Sequence, residues 1–233
     1  MSMPFVPSRR RVALQALAAG AALAATSARA QSDPFDKPRP ACVLTREQTE
    51  GPYFVDERLD RSDIRGDAGG RNARPGAPLV LALRLSSIVG ASCAPLADAR
   101  VDVWHCDATG RYSDEDDLRT KGSQFLRGYQ ASDASGRVRF ATIYPGAYRG
   151  RAVHIHFKVR VPRQNPREEF TSQLYFDDAL TDRVHGSSPY IGGRRTRNDE
   201  DGLFRAGGRA LILDVRDAGD GYVAAYDVGL RLG

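Results

Sequence analysis

The stretch that decides the fold is residues 153–161, Val-His-Ile-His-Phe-Lys-Val-Arg-Val, in which apolar and polar side chains alternate. Successive side chains of a β-strand point to opposite faces, so this alternation predicts a strand. Similar β-rich runs recur at residues 79–88, 99–106, 137–143, 171–176, 209–216 and 222–230. Turn-forming residues separate them, and 133–136 and 218–221 are expected to be hairpin turns. About seven short strands with few helical periods predict an all-β fold, an antiparallel β-sandwich.

A long polar segment, residues 177–205, interrupts the strand pattern. It contains Gly192-Gly193 and several Arg and Asp residues, which predicts an extended loop region. A loop of this length in a compact domain is often functional. We therefore expect the sandwich to carry its functional site on long loops.

Composition and charge restrict the class of protein. Of the 233 residues, 41% are hydrophobic and 27% charged, which suits one sizeable core and excludes a disordered or collagen-like chain. The formal charge is +5, but residues 1–30 contain four arginines and no acidic residue. Without them 30 basic residues (34 − 4) face 29 acidic ones, a net charge of +1. This balance predicts no nucleic-acid partner.

The N-terminal segment has the features of an export signal. A basic region, Ser-Arg-Arg-Arg at residues 8–11, precedes an apolar run to about Ala25 and an Ala-Arg-Ala cleavage site at 28–30. The run of about 14 residues is shorter than the roughly 20 that span a membrane, so no stable membrane anchor is expected. Paired arginines predict a twin-arginine signal and a periplasmic or secreted protein; the alternative is an ordinary secretory signal with a chance arginine cluster. The expected organisation is a signal peptide at 1–30, a flexible lead-in at 31–40 and one β-sandwich domain at 41–233.

The chain contains three cysteines, Cys42, Cys93 and Cys106. In an oxidising compartment one disulfide and one leftover thiol are expected. The stretch between Cys93 and Cys106 is extended, so bridging them would require the strand to fold back, and Cys42 with Cys93 is the preferred pair. The alternative is three small buried hydrophobic residues.

His154 and His156 lie two residues apart on the decisive strand and therefore point to the same face. Along a strand they are about 6.5–7 Å apart, and two such imidazoles can converge on one metal ion. The alternative is a merely polar strand face. No cysteine at ligand spacing and no carboxylate lies beside the pair, which disfavours a structural zinc site and a ferrous site of two histidines and one carboxylate.

Tyrosines are the remaining candidate ligands. Tyr148 lies six residues before His154, after the turn Pro145-Gly146, and Tyr112 ends the loop 107–111. A phenol ionises near pH 10, so it binds a metal as phenolate only beside a strong Lewis acid such as Fe(III). The chain has nine tyrosines, and spacing alone does not choose Tyr148 over Tyr144. The alternative is an aromatic side chain packed with its hydroxyl at the surface.

Residues 142–148, Thr-Ile-Tyr-Pro-Gly-Ala-Tyr, and 151–157, Arg-Ala-Val-His-Ile-His-Phe, together resemble the active-site segment of intradiol ring-cleavage dioxygenases. This family contains the protocatechuate 3,4-dioxygenases and catechol 1,2-dioxygenases. Residues 49–53, 102–112 and 171–176 are also similar to blocks of the family. The resemblance covers about 42–204 and is closest to secreted single-domain members, with long active-site loops on the sandwich.

The resemblance implies specific roles. Four residues fall where the family binds one non-haem Fe(III) per chain: Tyr112, Tyr148, His154 and His156. Of these, Tyr148 and His156 resemble the axial pair, and Tyr148 and Arg151 resemble the catalytic residues, with Arg151 beside the substrate ring. Three residues fall in the expected substrate pocket: Gln173, Pro52 and Tyr53.

The implied reaction is the O2-dependent cleavage of a catecholic ring between its two hydroxylated carbons, giving a cis,cis-muconate type product in aromatic catabolism. The chain would act as a monomer or homodimer. Two alternatives are a non-catalytic transthyretin-like binding module and a periplasmic copper- or zinc-binding protein. Other polar residues have simpler interpretations: His105 as a hydrogen-bonded structural histidine, His185 as solvated, Asp133 as a turn residue, and Glu50 and Asp107 as turn or supporting groups.

Overall fold

The computed structural model describes residues 1, 33–35, 42–161, 168–190 and 192–232. It contains nine strands in this part of the chain, which confirms the expected all-β sandwich. The strands are β1 (Pro78–Val89), β2 (Ser92–Pro95), β3 (Arg100–Trp104), β4 (Arg127–Ala131), β5 (Arg137–Ile143), β6 (His154–Val161), β7 (Glu168–Tyr175), β8 (Asp214–Asp217) and β9 (Tyr222–Leu230). Two short α-helices, α1 (Asp178–His185) and α2 (Gly202–Arg205), and three 3-10 turns (Ala68–Gly70, Asn198–Glu200 and Gly208–Leu211) complete the fold.

The strands form two sheets. One sheet has the order β2-β1-β9-β8, with β5 also paired to β1, and the other has the order β4-β3-β6-β7. All neighbouring pairs are antiparallel except β1 and β9, which are parallel. The facing sides of the sheets share one apolar core, to which β6 contributes Ile155, Phe157 and Val159. None of the helices described in the structure is long and apolar enough to span a membrane.

The opposite, polar face of β6 is also buried, because residues 50–57 cross over it. Phe54 lies beneath Lys158, whose Nζ is 4.4 Å from the ring centroid, and Lys158 pairs with Glu50. Arg160 donates to Asp102 at 2.7 Å. Arg160 also lies 3.8 Å from Asp56, so this pair and the Lys158–Glu50 pair hold residues 50–57 against the strand face that carries His154 and His156.

Several expectations about individual elements are wrong. Residues 209–216 are not one strand, since Gly208–Leu211 forms a 3-10 turn before β8, and β2 and β4 are additional strands. The turn at 133–136 is tight, but β4 and β5 on either side of it belong to different sheets, so it connects sheets and is not a hairpin. The turn at 218–221 does join the antiparallel pair β8 and β9, as a hairpin.

The segment 177–205 is not purely a loop, because it contains α1 and α2. The Asp177 carboxylate accepts a hydrogen bond from Leu180 N at 3.0 Å and caps α1. Leu180 and Val184, four residues apart, bury one face of the helix against the core. Capping and this single apolar pair stabilise the helix. At eight residues it is too short to show the helical spacing of apolar residues in the sequence, so it was not predicted.

The structure joins Cys42 to Cys93 in a disulfide, with the Cα atoms 5.7 Å apart, and leaves Cys106 as a buried free thiol. The expected signal peptide lies outside the described residues, as does most of the lead-in. Of the lead-in, residues 33–35 are described, and Phe35 is buried beneath the guanidinium groups of Arg137 and Arg139.

Candidate metal centre and active site

The two histidines of β6 meet at their Nε2 atoms, which are 2.9 Å apart. Both side chains are buried, with 2% and 1% exposure. His154 Nδ1 lies 2.6 Å from the carbonyl oxygen of Ala152. Because a carbonyl only accepts, Nδ1 carries the proton and Nε2 of His154 presents its lone pair to the space shared with His156.

His156 is held by stacking. Trp104 on β3 is its register partner, and the two rings stack with centroids 4.9 Å apart and planes 8° from parallel. On its other side β7 places Gln173 opposite His156. His156 Nδ1 is buried, and no group in the described part of the chain hydrogen-bonds it. The indole ring therefore sets the orientation of this imidazole.

Tyr148 is the tyrosine that reaches the histidine pair. Its Oη lies 3.2 Å from His154 Nε2. Tyr144, which spacing left as an equal candidate, instead lies fully buried in the core, where its Oη and Thr181 Oγ1 share a 2.7 Å hydrogen bond. The two residues after Tyr144 form the Pro-Gly turn, which carries the chain from the core to the site.

Tyr112 completes the cluster. Its ring stacks on Tyr53 at 4.3 Å between centroids and lies edge-on to Tyr148 and His156, at 5.7 and 6.1 Å. Its Oη is buried, and within the described residues it has no hydrogen-bond partner. An unpartnered buried hydroxyl is unfavourable, so this oxygen indicates a missing ligand.

The loops that carry these two tyrosines pack backbone against backbone. A Cβ on Gly110, where φ is +83°, would lie 2.3 Å from the carbonyl oxygen of Ala147, and one on Gly146 would lie 2.4 Å from that of Asp107. Only glycine allows this approach at either position. The Asp107 carboxylate accepts hydrogen bonds from Thr109 N and Arg111 N, at 2.9 and 3.1 Å, and so closes the loop that ends at the first tyrosine.

Burial sets the protonation states of the cluster. It lowers the pKa of His154 to about 3 and, with His154 alongside, lowers the pKa of His156 well below its usual value, so both imidazoles are neutral at pH 7. Burial raises the pKa of Tyr148 to about 12, although the Arg151 guanidinium acts in the opposite direction. Burial and the nearby Tyr148 raise the pKa of Tyr112 well above its usual value. The phenols therefore ionise only beside a cation.

Arg151 lies next to this cluster, with its guanidinium held by three side chains. Its Nε donates to Asp201 at 3.0 Å, and its Nη2 donates to Gln173 Oε1 at 2.5 Å and approaches Tyr175 Oη at 3.5 Å. Burial acts to lower the pKa of Arg151, but the neighbouring Tyr148 and Asp201 outweigh it and raise the pKa. A fixed positive charge therefore lies beside the candidate ligands.

Asp201 is a supporting residue that the sequence reasoning missed. Its Oδ2 accepts from both Arg151 Nε and the backbone N of Ala152, at 3.0 and 2.9 Å, while Oδ1 caps α2 by accepting from Leu203 N. The Ala152 carbonyl is the group that fixes the tautomer of His154. An Asp immediately before a short helix is a capping signal, but it does not reveal the second contact. Trp104 was missed as well, since no local pattern links it to His156.

The three expected pocket residues lie in different surroundings. Gln173 is fully buried, and its Nε2 donates to the carbonyl oxygen of Thr49 at 2.8 Å. Tyr53 is half-buried against Tyr112. Pro52 is exposed in the adjoining turn. The structure thus brings Gln173 beside His156 and Tyr53 beside Tyr112 and Tyr148, and leaves Pro52 exposed next to Tyr53.

The other polar residues divide between expected and unexpected roles. His105 is fully buried and bonded through Nε2 to Thr142 Oγ1 at 2.7 Å, as expected of a structural histidine. His185 is not solvated: it ends α1, bonds to the carbonyl oxygen of Pro145 at 2.9 Å and stacks on Tyr190. It is half-buried because α1 packs against the Pro-Gly turn.

The four side chains suit a metal ion of high charge. His154 Nε2 lies 2.9 Å from His156 Nε2 and 3.2 Å from Tyr148 Oη, and the nearby Oη of Tyr112 has no partner among the described residues. A strongly acidic cation would ionise both phenols and give each of these atoms a partner. Two phenolates balance most of the charge of a trivalent ion such as Fe(III), which makes a buried site tolerable.

Comparison with known proteins agrees with this chemistry. The family model described as Dioxygenase matches residues 49–188, more than half of the chain. An intradiol ring-cleavage dioxygenase from Tetranychus urticae is 30% identical, with a TM-score of 0.70 over 82% of this chain and 95% of that chain. The dioxygenase domain of a dioxygenase carbohydrate-binding protein fusion from Streptomyces sp. SirexAA-E is 30% identical, with a TM-score of 0.62 over 82% of this chain and 100% of that chain.

More distant similarity extends to longer proteins. A chlorocatechol 1,2-dioxygenase from Cupriavidus pinatubonensis is 29% identical over 160 residues, which are 57% of this chain and 56% of that relative. The chain thus spans little more than half the length of that relative. The matched family range, 49–188, contains all four clustered side chains and ends before Asp201. On the strength of that range and of the structural likeness, the chain belongs to the intradiol ring-cleavage dioxygenase family.

Proposed function

We propose that the protein is a non-haem Fe(III) dioxygenase that uses O2 to cleave a catecholic ring between its two hydroxylated carbons, giving a cis,cis-muconate type product. The observation that carries the proposal is His154 Nε2, which lies 2.9 Å from His156 Nε2 and 3.2 Å from Tyr148 Oη, beside the unpartnered Oη of Tyr112. Relatives named as chlorocatechol and protocatechuate dioxygenases support a catecholic substrate.

One ferric ion per chain would be held by His154, His156, Tyr112 and Tyr148. When bound, the ion supplies a Lewis acid that favours deprotonation of the catechol oxygens. Both imidazoles are already neutral at pH 7, and His154 is fixed in the tautomer that leaves Nε2 free. Only the two phenols have to release protons when the site is loaded.

Tyr148 is the group placed to exchange a proton with the substrate. It is half-buried, whereas Tyr112 is 1% exposed, so Tyr148 faces the more open side of the cluster. Burial raises the pKa of Tyr148 to about 12, above the ordinary phenol value near 10, so its phenolate is a strong enough base to accept a proton from a catechol hydroxyl. We assign Tyr148 as the base that accepts a proton from the incoming catechol.

Arg151 supplies positive charge where negative charge develops on the ring. Its guanidinium is held before the substrate arrives by Asp201 and Gln173, at 3.0 and 2.5 Å. A preorganised charge stabilises a transition state without reorganising at the moment of reaction. Tyr53 packs against Tyr112 and Tyr148, and together with Pro52 in the adjoining turn it would form part of the ring pocket.

Export to the periplasm or beyond is part of the proposal. The Cys42–Cys93 disulfide supports it, because disulfides persist in oxidising compartments. A twin-arginine signal would export the folded chain with its metal already in place. We propose that the exported chain works as a monomer or homodimer.

The test is ring cleavage by iron-loaded protein, followed by O2 uptake and by mass spectrometry of a product that gains both oxygen atoms. Tyr148→Phe and Arg151→Ala should each lower turnover about 100-fold, the lower end of the range for loss of one acid–base or electrostatic group. Tyr144→Phe is the matched control, since its hydroxyl bonds in the core. Full activity in the first two variants would contradict the roles assigned to Tyr148 and Arg151. No cleavage of any catechol would favour a non-catalytic binding module.

A further inference from the structure

A cleft of about 910 Å³ opens beside Tyr148. Its walls are residues 147–150, the end of α1 and residues 192–196. Clefts of about 300–1,000 Å³ accommodate ligands much larger than a single catechol ring. Tyr148 also contacts His154, so the cleft adjoins the place where the proposed function puts the reacting ring.

The cleft carries one uncompensated positive charge. Three arginines and two carboxylates line it. Arg195 lies 2.9 Å from Asp182, and Arg194 lies 2.6 Å from Glu200. Arg149 is exposed, and among the described residues no carboxylate pairs with it. The free cation of the cleft is therefore the residue that directly follows Tyr148.

Space for a ligand lies around this cation. A Cβ on Gly150, Gly192 or Gly193 would meet no atom within 4 Å. The walls are therefore open at these positions, and a flexible group several atoms long can lie between them. A guanidinium binds a carboxylate through two parallel N–H donors, which favours a planar anion over a neutral polar group.

We propose that this cleft is a subsite for the carboxylate-bearing side group of a substituted catechol, and that Arg149 recognises the carboxylate. The proposal rests on the proposed function and names its substrate class. It places the catechol ring at the tyrosine and histidine cluster and the acidic side group in the cleft beyond Tyr148.

The experiment compares two ligands that differ only in charge, 3-(3,4-dihydroxyphenyl)propanoate and its methyl ester. Their binding to the iron-loaded full chain is measured by calorimetry without oxygen. The acid should bind the wild type about fivefold more tightly than the ester, as expected for one exposed ion pair. In Arg149→Gln the ratio should fall to about one. Arg209→Gln is the matched control, because Arg209 is exposed and does not line the cleft.

Each other outcome overturns the assignment. Equal affinity of acid and ester for the wild type, a preference that survives Arg149→Gln, or no binding of either ligand would each exclude the subsite. Cleavage of both unsubstituted catechol and the propanoate by the wild type is measured separately, with oxygen present. Cleavage without an acid preference removes the subsite and keeps the dioxygenase, whereas an Arg149-dependent preference without cleavage keeps the subsite and removes the dioxygenase.

Discussion

Replacing Tyr112 with Phe removes one buried oxygen atom and leaves the ring in place. Tyr112 is 1% exposed, its ring stacks on Tyr53, and no described residue hydrogen-bonds its Oη. A buried polar group without a partner destabilises a fold by about 1–3 kcal/mol. We therefore expect iron-free Tyr112→Phe to be more stable than the wild type by about 1 kcal/mol or more, with Tm higher by roughly 2–4 °C per kcal/mol for a domain of this size.

The assay is urea unfolding of the iron-free proteins, with Tyr144→Phe as the matched control. Tyr144 is also fully buried, but its Oη bonds to Thr181 Oγ1 at 2.7 Å. Loss of that bonded hydroxyl should destabilise the fold by about 1 kcal/mol. Replacing Tyr with Phe should thus raise the free energy of unfolding at Tyr112 and lower it at Tyr144.

With iron present, the wild type should be more stable than Tyr112→Phe, because bound iron stabilises the wild type and Tyr112→Phe binds iron poorly. A Tyr112→Phe protein that is as destabilised as Tyr144→Phe without iron would show that the hydroxyl has a structural partner. That result would refute the inference that Tyr112 Oη is kept for a metal.

Three further changes test the surroundings of the site. Asp201→Asn should keep bound iron but lower kcat/KM for ring cleavage about 10–100-fold, because the carboxylate accepts hydrogen bonds from Arg151 Nε and Ala152 N and an amide NH2 cannot accept them. Asp199→Asn is the control; Asp199 is exposed, and this change should leave kcat/KM unchanged. Gly146→Ala should lower the unfolding free energy by about 1–3 kcal/mol and release iron, because the added Cβ would lie 2.4 Å from the backbone oxygen of Asp107. Gly192→Ala is the control and should retain iron, because its added Cβ would meet no atom within 4 Å. Burial lowers the pKa of His105 to about 4, below its ordinary 6.5. The unfolded chain binds that proton first, so His105 alone should lower the unfolding free energy of the iron-free protein by about 2 kcal/mol at pH 5 relative to pH 7. His154, His156 and His185, whose pKa values are also lowered, add to the loss, so His105→Gln should make the total loss smaller by about 2 kcal/mol without abolishing it.

Strand alternation predicts much of the sandwich because it is a local property. The runs 137–143 and 222–230 coincide with β5 and β9, since apolar side chains alternate along them and turn residues bound them. β2 and β4 are not predicted, because they are short, contain few β-branched residues and depend on pairing with β1 and β3. A pairing partner is a long-range property that a single short segment does not display.

The candidate site also has features that the local sequence predicts and features that depend on long-range packing. The spacing of His154 and His156 already indicates that they share a face, since the alternation of a strand requires it. The choice of Tyr148 over Tyr144 depends on where the Pro-Gly turn leaves the core. The spacing of residues in the sequence does not reveal that position. Asp201 lies 50 residues from Arg151 and reaches it only through the packing of α2. Its role becomes visible only in three dimensions.

The most direct test of the central claim is the visible absorption spectrum of the purified protein, with metal content measured on the same sample. The account predicts one iron per chain and a tyrosinate-to-Fe(III) charge-transfer band that shifts when catechol is added without oxygen. A protein that stays colourless after reconstitution with ferric iron would contradict it, because two tyrosines bound to ferric iron absorb visible light whatever the substrate.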